Sequence, residues 1–305
     1  MKARRCVGLV ASLALLLSLA GAAAPHRVEA DGPAASPGTG LSATLLANAV
    51  PAVYYSSWQR TVVEETVNED LASNVSVAID TTTGTVFVSY YDKKNGDLKL
   101  ATLVKSGGNC GGGAWNCQTI DSDGDVGMYS SIYVDPSWGG IPGTIRIAYY
   151  DATNRALKYT ACVSFGGPCT WTPPAMIDKG SGTAPLYPRA GLYPSLSVDG
   201  AGVSHIGYVR DSLLGSALNY ATYVGAGGTG CSETSAWDCS TVVPISVGTS
   251  IGGLSLDSNM FGGPAMAYYS YTNSSGTYTG SVSYARWVGM MGNCGPSGSW
   301  RCDVI

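Results

Sequence analysis

Four copies of one short text dominate the chain and leave few folds open to it. SVAID at Ser76–Asp80 recurs as SIYVD at Ser131–Asp135, SLSVD at Ser195–Asp199 and GLSLD at Gly253–Asp257. Each copy is followed by a Tyr-rich segment: VFVSYYD ending at Asp92, IRIAYYD at Asp151, VSHIGYVRD at Asp211 and AMAYYSY at Tyr271. A third segment follows (LKLAT, LKYTA, LNYAT, SVSYAR), and a Trp-led one closes each unit at Trp115, Trp171, Trp237 and Trp300. Four short strands recurring at intervals of 55, 64 and 58 residues predict a radial array of small sheets. The fold class read from this is all-β: a β-propeller of four-stranded antiparallel blades, four units of about 60 residues.

The predicted units run over about 72–121, 126–178, 190–245 and 250–305. A further Trp-led strand, 53–66 around Trp58, precedes them without its three partners, so the reading favours a ring that continues beyond Ile305. In IRIAYYD, Ile145, Ile147 and Tyr149 share one face and Arg146, Ala148 and Tyr150 the other. Both faces are apolar enough to be packed. A β-sandwich is the rival, but it does not call for a four-strand unit of constant length.

Lys2, Arg4 and Arg5 precede an apolar run from Val7 to Ala20 and then small residues at Gly21–Ala24. Residues 1–24 therefore read as a signal peptide; the run falls short of the ~20 residues that cross a bilayer. Residues 25–52 read as a flexible Pro/Gly leader, and 53–305 as the propeller. The expected mature protein is secreted or held at a cell surface, with no membrane span. Without those three cations the chain keeps 14 basic residues against 21 acidic ones, a net charge of −7. That balance offers no basic groove for a phosphate backbone and argues against nucleic acid as a partner.

Nine cysteines less Cys6 leave eight in local pairs: Cys110/Cys117, Cys162/Cys169, Cys231/Cys239 and Cys294/Cys302. In an exported chain these read as hairpin disulfides, each closing a short loop at the low end of about 2–4 kcal/mol. Zinc is disfavoured, since CxxC spacing is absent and the chain has 2 His.

The repeat resembles the broad group of secreted bacterial β-propellers that includes sialidase-like and lectin-like folds. The resemblance spans about Val53 to Ile305 and implies fold only. The sialidase Asp-box pattern S-x-D-x-G-x-T-W is met in no unit, and fold does not carry function.

Turns after the second strands are expected on one face. This gathers Tyr90, Tyr91, Asp92, Tyr149, Tyr150, Asp151, Tyr208, Arg210, Asp211, Tyr268 and Tyr269 as a ligand-binding set. Tyrosine rings can cover the apolar face of a sugar while carboxylates accept from its hydroxyls. The competing reading packs one Tyr of each pair between blades and uses the Asp to cap a turn. Asp121, Asp123 and Asp125 in DSDGDVG form an acidic cluster that could converge on Ca2+, although Val126 stands where an EF-hand loop needs glycine. No cofactor is otherwise required. NVS at Asn74 and NSS at Asn273 match the N-glycosylation triplet.

Hydrolysis finds little support. Sialidase-like chemistry would want clustered Arg and a Tyr–Glu pair, yet Arg146, Arg155, Arg189, Arg210 and Arg286 occupy unrelated places in the repeat. His205 alternates with Val203 inside a strand. The expected function is non-catalytic recognition of glycans or another extracellular surface. A sialidase-like glycoside hydrolase and a structural or protein-binding propeller are the alternatives.

Overall fold

The computed structural model describes residues 60–64, 72–136, 143–163, 170–180, 188–244, 246–259 and 263–305, all in the compact unit Gln59–Ile305. The fold is all-β, with four antiparallel sheets of the propeller-blade type. Unit one is β1 (Ala72–Ile79), β2 (Val86–Asp92), β3 (Asp97–Leu103) and β4 (Trp115–Asp121), hydrogen-bonded in chain order. In unit two β5 (Val126–Val134), β6 (Ile145–Asp151) and β7 (Ala156–Val163) are followed by an outer strand broken in two, β8 (Thr170–Trp171) and β9 (Ala175–Lys179), both paired with β7. Pro173 and Pro174 lie in the break, where neither can donate to the ladder. The Thr172 hydroxyl accepts from the Ala161 N–H there instead, at 3.1 Å. Unit three comprises β10 (Arg189–Val198), β11 (Ser204–Ser212), β12 (Gly215–Tyr223) and β13 (Trp237–Val243). Unit four comprises β14 (Thr249–Ser258), β15 (Pro264–Ser274), β16 (Thr277–Trp287) and β17 (Trp300–Val304).

Neighbouring units are stitched at one repeated place. The Ser76 hydroxyl accepts from the Ile132 N–H, Ser131 from Leu196 and Ser195 from Leu256, at 3.3, 3.0 and 2.8 Å. The first strand of each unit thus meets the first strand of the next in the same register, which is what blades set around an axis require. The core lies between units. Leu98, Leu100, Val126, Ile147 and Tyr149 pack units one and two together. Leu157, Ile177, Leu196 and Ile206 do so for units two and three. Leu218, Val242, Leu256 and Met266 do so for units three and four. Sheets packed on both sides bury both faces of their middle strands, and Ile147, Ala148 and Tyr149 are each fully buried.

Among the described residues three disulfides have both partners: Cys110–Cys117, Cys231–Cys239 and Cys294–Cys302. Cys162 is also disulfide-bonded; Cys169 lies outside the described residues. So do Trp58, most of the predicted strand 53–66, the signal peptide and the leader. The described part of that strand, residues 60–64, is not in a strand. No helix among the described residues is long and apolar enough to cross a membrane.

Candidate functional site

The middle-strand tyrosines of the expected binding set, Tyr269 excepted, are buried. Tyr149 lies opposite Lys158 in the β6–β7 register, so their side chains share one face. Both reach back to the end of the preceding unit: the Tyr149 hydroxyl donates to Asp121 Oδ2 at 2.6 Å and Lys158 Nζ at 2.5 Å. Asp151 stands 3.8 Å from the same ammonium. Burial works to raise the Asp121 pKa, but the hydrogen bonds from Lys158, Tyr149 and the Asp123 N–H outweigh it and hold the carboxyl below its ordinary value.

The same clasp recurs one unit earlier. Tyr90 and Lys99 both bind Glu64, and Asp92 stands 3.9 Å from Lys99. In unit three Tyr208 donates to Asp178 at 2.6 Å, but Asn219 replaces the lysine and Arg210 replaces the aspartate. The guanidinium then supplies the cation from the adjacent strand, donating to both Asp178 oxygens. In unit four Val243, Ser283 and Ser270 replace acid, lysine and aspartate together, and Tyr268 alone is retained. Acid and base thus come and go as a set.

The remaining expected residues are placed as follows. Asp92 and Asp151 accept from the turns that follow them, Asp151 from the Asn154 N–H at 2.8 Å and Asn154 Nδ2 at 2.9 Å. The Tyr91 hydroxyl donates to Asp125 at 2.7 Å. Asp211 accepts from Ser216 and pairs with Arg189. Tyr268 is buried; Tyr269 is 44% exposed. Asp121, Asp123 and Asp125 are not drawn together, because Asp121 faces Lys158 and Asp125 faces Tyr91. Among the described residues no three metal-ligating side chains converge. His205 is held from both ring nitrogens, by Tyr220 at 2.5 Å and Asp199 at 3.2 Å.

Burial, followed by neighbouring carboxylates where they are bonded, pushes the phenols of Tyr90, Tyr149 and Tyr208 far up and those of Tyr91, Tyr150 and Tyr220 up to about 12. These phenols stay protonated in the fold above pH 10, where an unfolded chain has begun to release them. Their contribution is complete below pH 10 and is lost as the pH climbs from there towards 12 and beyond. Unfolding above pH 10 should therefore carry with it a cooperative rise in phenolate absorbance from these buried rings. A smooth titration centred on 10 with circular dichroism unchanged would contradict this.

A different set of residues opens to solvent on the turn face of units two and three. Each first strand bulges six residues before its closing Asp. The residue there takes the left-handed conformation in three units: Asn74 at φ 55°, Tyr129 at 56° and Tyr193 at 50°. Asparagine tolerates that region; for tyrosine it is a strained exception. The two rings touch at a tilt of 56° with centroids 4.5 Å apart, and Tyr129 lies 6.3 Å from Tyr150. Arg189, paired with Asp211, raises no barrier to solvent: it is exposed, while Tyr129 and Tyr193 are half-buried. A third left-handed residue lies in the β6–β7 turn, bonded to Ala190 of the strand that carries Tyr193. Arg155, at φ 57°, occupies the turn position that unit one fills with Gly96 at φ 76°. Sequence reading gathered Tyr150 and Asp211 but not Tyr129, Tyr193, Arg155 or Arg189. The available signal was tyrosine or arginine at repeat positions where the sister unit carries Asn or Gly.

A second recess, a cavity of about 390 Å³, lies between units two and three towards the disulfide-bearing turns. Arg146, Tyr159, Tyr223 and Trp237 line it. Its rings pack edge-on, with Tyr159 5.0 Å and Tyr223 5.4 Å from Trp237.

No family model matches the chain, and no curated protein matches it. Among solved structures it is similar in fold to an ulvan lyase, a polysaccharide lyase bound to -[GlcA(1-4)Rha3S]-, at 12% identity and TM-score 0.50 over 78% of this chain and 61% of that one. An endo-arabinase from Bacteroides thetaiotaomicron (14% identity, TM-score 0.39, 76% of this chain and 79% of that one) is also similar. So is a mutant Aleuria aurantia lectin in complex with alpha-methyl-L-fucoside (16%, TM-score 0.37, 77% and 63%). At these identities the likeness is one of fold.

Proposed function

We propose that this chain is an exported glycan-recognition protein whose ligand lies on Tyr129 and Tyr193, beside the buried Tyr150. The observation that carries the reading is the pair of tyrosines held at left-handed bulges. Strained backbone persists where the surrounding structure enforces it, and it concentrates at ligand sites. The half-buried rings of Tyr129 and Tyr193 offer apolar surface to sugar C–H groups, and the Arg189–Asp211 pair offers donors and acceptors to hydroxyls. Proteins of similar fold that bind or process glycans are in keeping with this but do not carry it.

Binding is favoured over hydrolysis because the nearby carboxylates are committed. Glycosidases need two carboxyl groups free to exchange protons or attack. Asp121, Asp151 and Asp178 are buried against Lys158 or Arg210, and Asp211 holds Arg189 and Ser216.

The test is a glycan-array screen of the oxidised protein with Tyr129→Gly and Tyr193→Gly variants. Glycine adopts the left-handed region without strain, which offsets the packing lost with each ring. Each variant should lose at least about tenfold in affinity, equivalent to 1.4 kcal/mol, while remaining folded. Tyr223→Ala, in the second recess, should bind like the parent. Loss of binding in Tyr223→Ala alone would move the ligand to that recess. Parent-like binding by both glycine variants would sink the proposal.

A further inference from the structure

We infer that the sugar bound on the tyrosine cluster carries an anionic substituent, a carboxylate or a sulfate ester, and that Arg155 is the residue that reads it. The inference rests on the recognition reading and adds a ligand class to it. Arg155 is half-buried in the turn between β6 and β7. Its carbonyl accepts from both the Gly180 and Ala190 N–H groups at 3.0 Å, so one bond from the end of β9 in its own unit and one from the first strand of unit three fix the backbone from which the guanidinium projects. The bond to Ala190 seats Arg155 beside Arg189 at the start of β10, and the turn carrying Arg155 leads into β7, where Leu157 pairs with Tyr150. No ion pair or side-chain hydrogen bond holds the Arg155 guanidinium among the described residues.

The surrounding acids explain why. Asp151 is taken by Lys158 and Asn154, and Asp178 by Arg210 and Tyr208. Asp211 is taken by Arg189 and Ser216, and Asp125 by Tyr91. A guanidinium gains strength from bidentate binding to planar or tetrahedral oxyanions, and this one has none inside the protein. Its position also carries a backbone cost that the glycine of unit one avoids. Chain folding alone does not call for arginine there; a ligand with negative charge does.

Arg155→Gly is a clean probe, because glycine is the residue the left-handed turn prefers. Its thermal midpoint should equal or exceed that of the parent. Binding is measured by isothermal titration calorimetry to two matched pairs: sodium polygalacturonate against its methyl ester, and dextran sulfate against dextran. The parent should favour the charged member of at least one pair by tenfold or more, and the pair that responds identifies carboxylate or sulfate. Arg155→Gly should lose that preference while keeping its affinity for the uncharged member. Equal binding within both pairs, or a preference that survives Arg155→Gly, overturns the inference. Binding to none of the four polymers, with array binding intact, also overturns it and leaves the recognition reading standing. Loss of array binding as well sinks both.

Discussion

Replacing Lys158 by methionine is expected to lower stability by about 3–5 kcal/mol, the range for removing one partner of a buried ion pair. The side chains of Lys158, Asp121 and Asp151 are 7%, 4% and 0% exposed, so water cannot take over the lost cation. Asp121 would keep the Tyr149 hydroxyl and the Asp123 N–H, and Asp151 its turn bonds. Neither set neutralises a charge. Unit four shows how the interface is built without ions, with Val243, Ser270 and Ser283 at the three positions. Removing acid and base together should therefore cost less than removing the base alone: Asp121→Asn/Lys158→Met should be more stable than Lys158→Met. Urea unfolding of the parent and the two variants checks this. A Lys158→Met loss below about 1 kcal/mol, typical of an exposed pair, would show that the clasp does not hold the units together.

Gly127→Ala and Gly191→Ala are expected to cost about 2–5 kcal/mol each, because two penalties coincide. Both glycines have positive φ, 108° and 93°, which costs an L-residue roughly 1–2 kcal/mol on its own. An added Cβ would also lie 2.7 Å from Leu98 Cα and 2.5 Å from Leu157 Cα. Those contacts are main chain of the preceding unit, so relief requires the blades to part, in a core where overpacking costs a further 1–3 kcal/mol. Gly84→Ala supplies the control: φ is 70°, but nothing lies within 4 Å of its Cβ, and only the backbone cost should appear. If Gly127→Ala and Gly191→Ala match Gly84→Ala in denaturant unfolding, the close inter-unit contact is wrong.

The strands were legible because a period-2 pattern repeated four times leaves little choice. Ser131–Asp135 and Ile145–Asp151 could be read as strands from their alternation and from their sister copies. What could not be read was which way each unit faces. Tyr149 and Tyr150 look alike in sequence. Only the stacking of one sheet on the next sends Tyr149 to Asp121 and leaves Tyr150 beside Tyr129. The clasp left a trace in the exchange of Lys158 for Asn219 with Asp151 for Arg210, but its meaning depends on contacts between units. The bulges left less. A bulge is a change of register between paired strands, and local composition does not encode it when tyrosine, not glycine or asparagine, occupies the left-handed position. Tyr129 and Tyr193 broke a local rule, and the proposed site rests on that breach.

The most direct measurement is a hydrogen-exchange footprint of the protein with and without a saccharide selected by the array. The account predicts slowed exchange in 126–130, 152–157 and 189–195, the segments that carry Tyr129, Arg155, Arg189 and Tyr193. Protection confined to 171–175 and 234–238, around the recess of Tyr223 and Trp237, would contradict it.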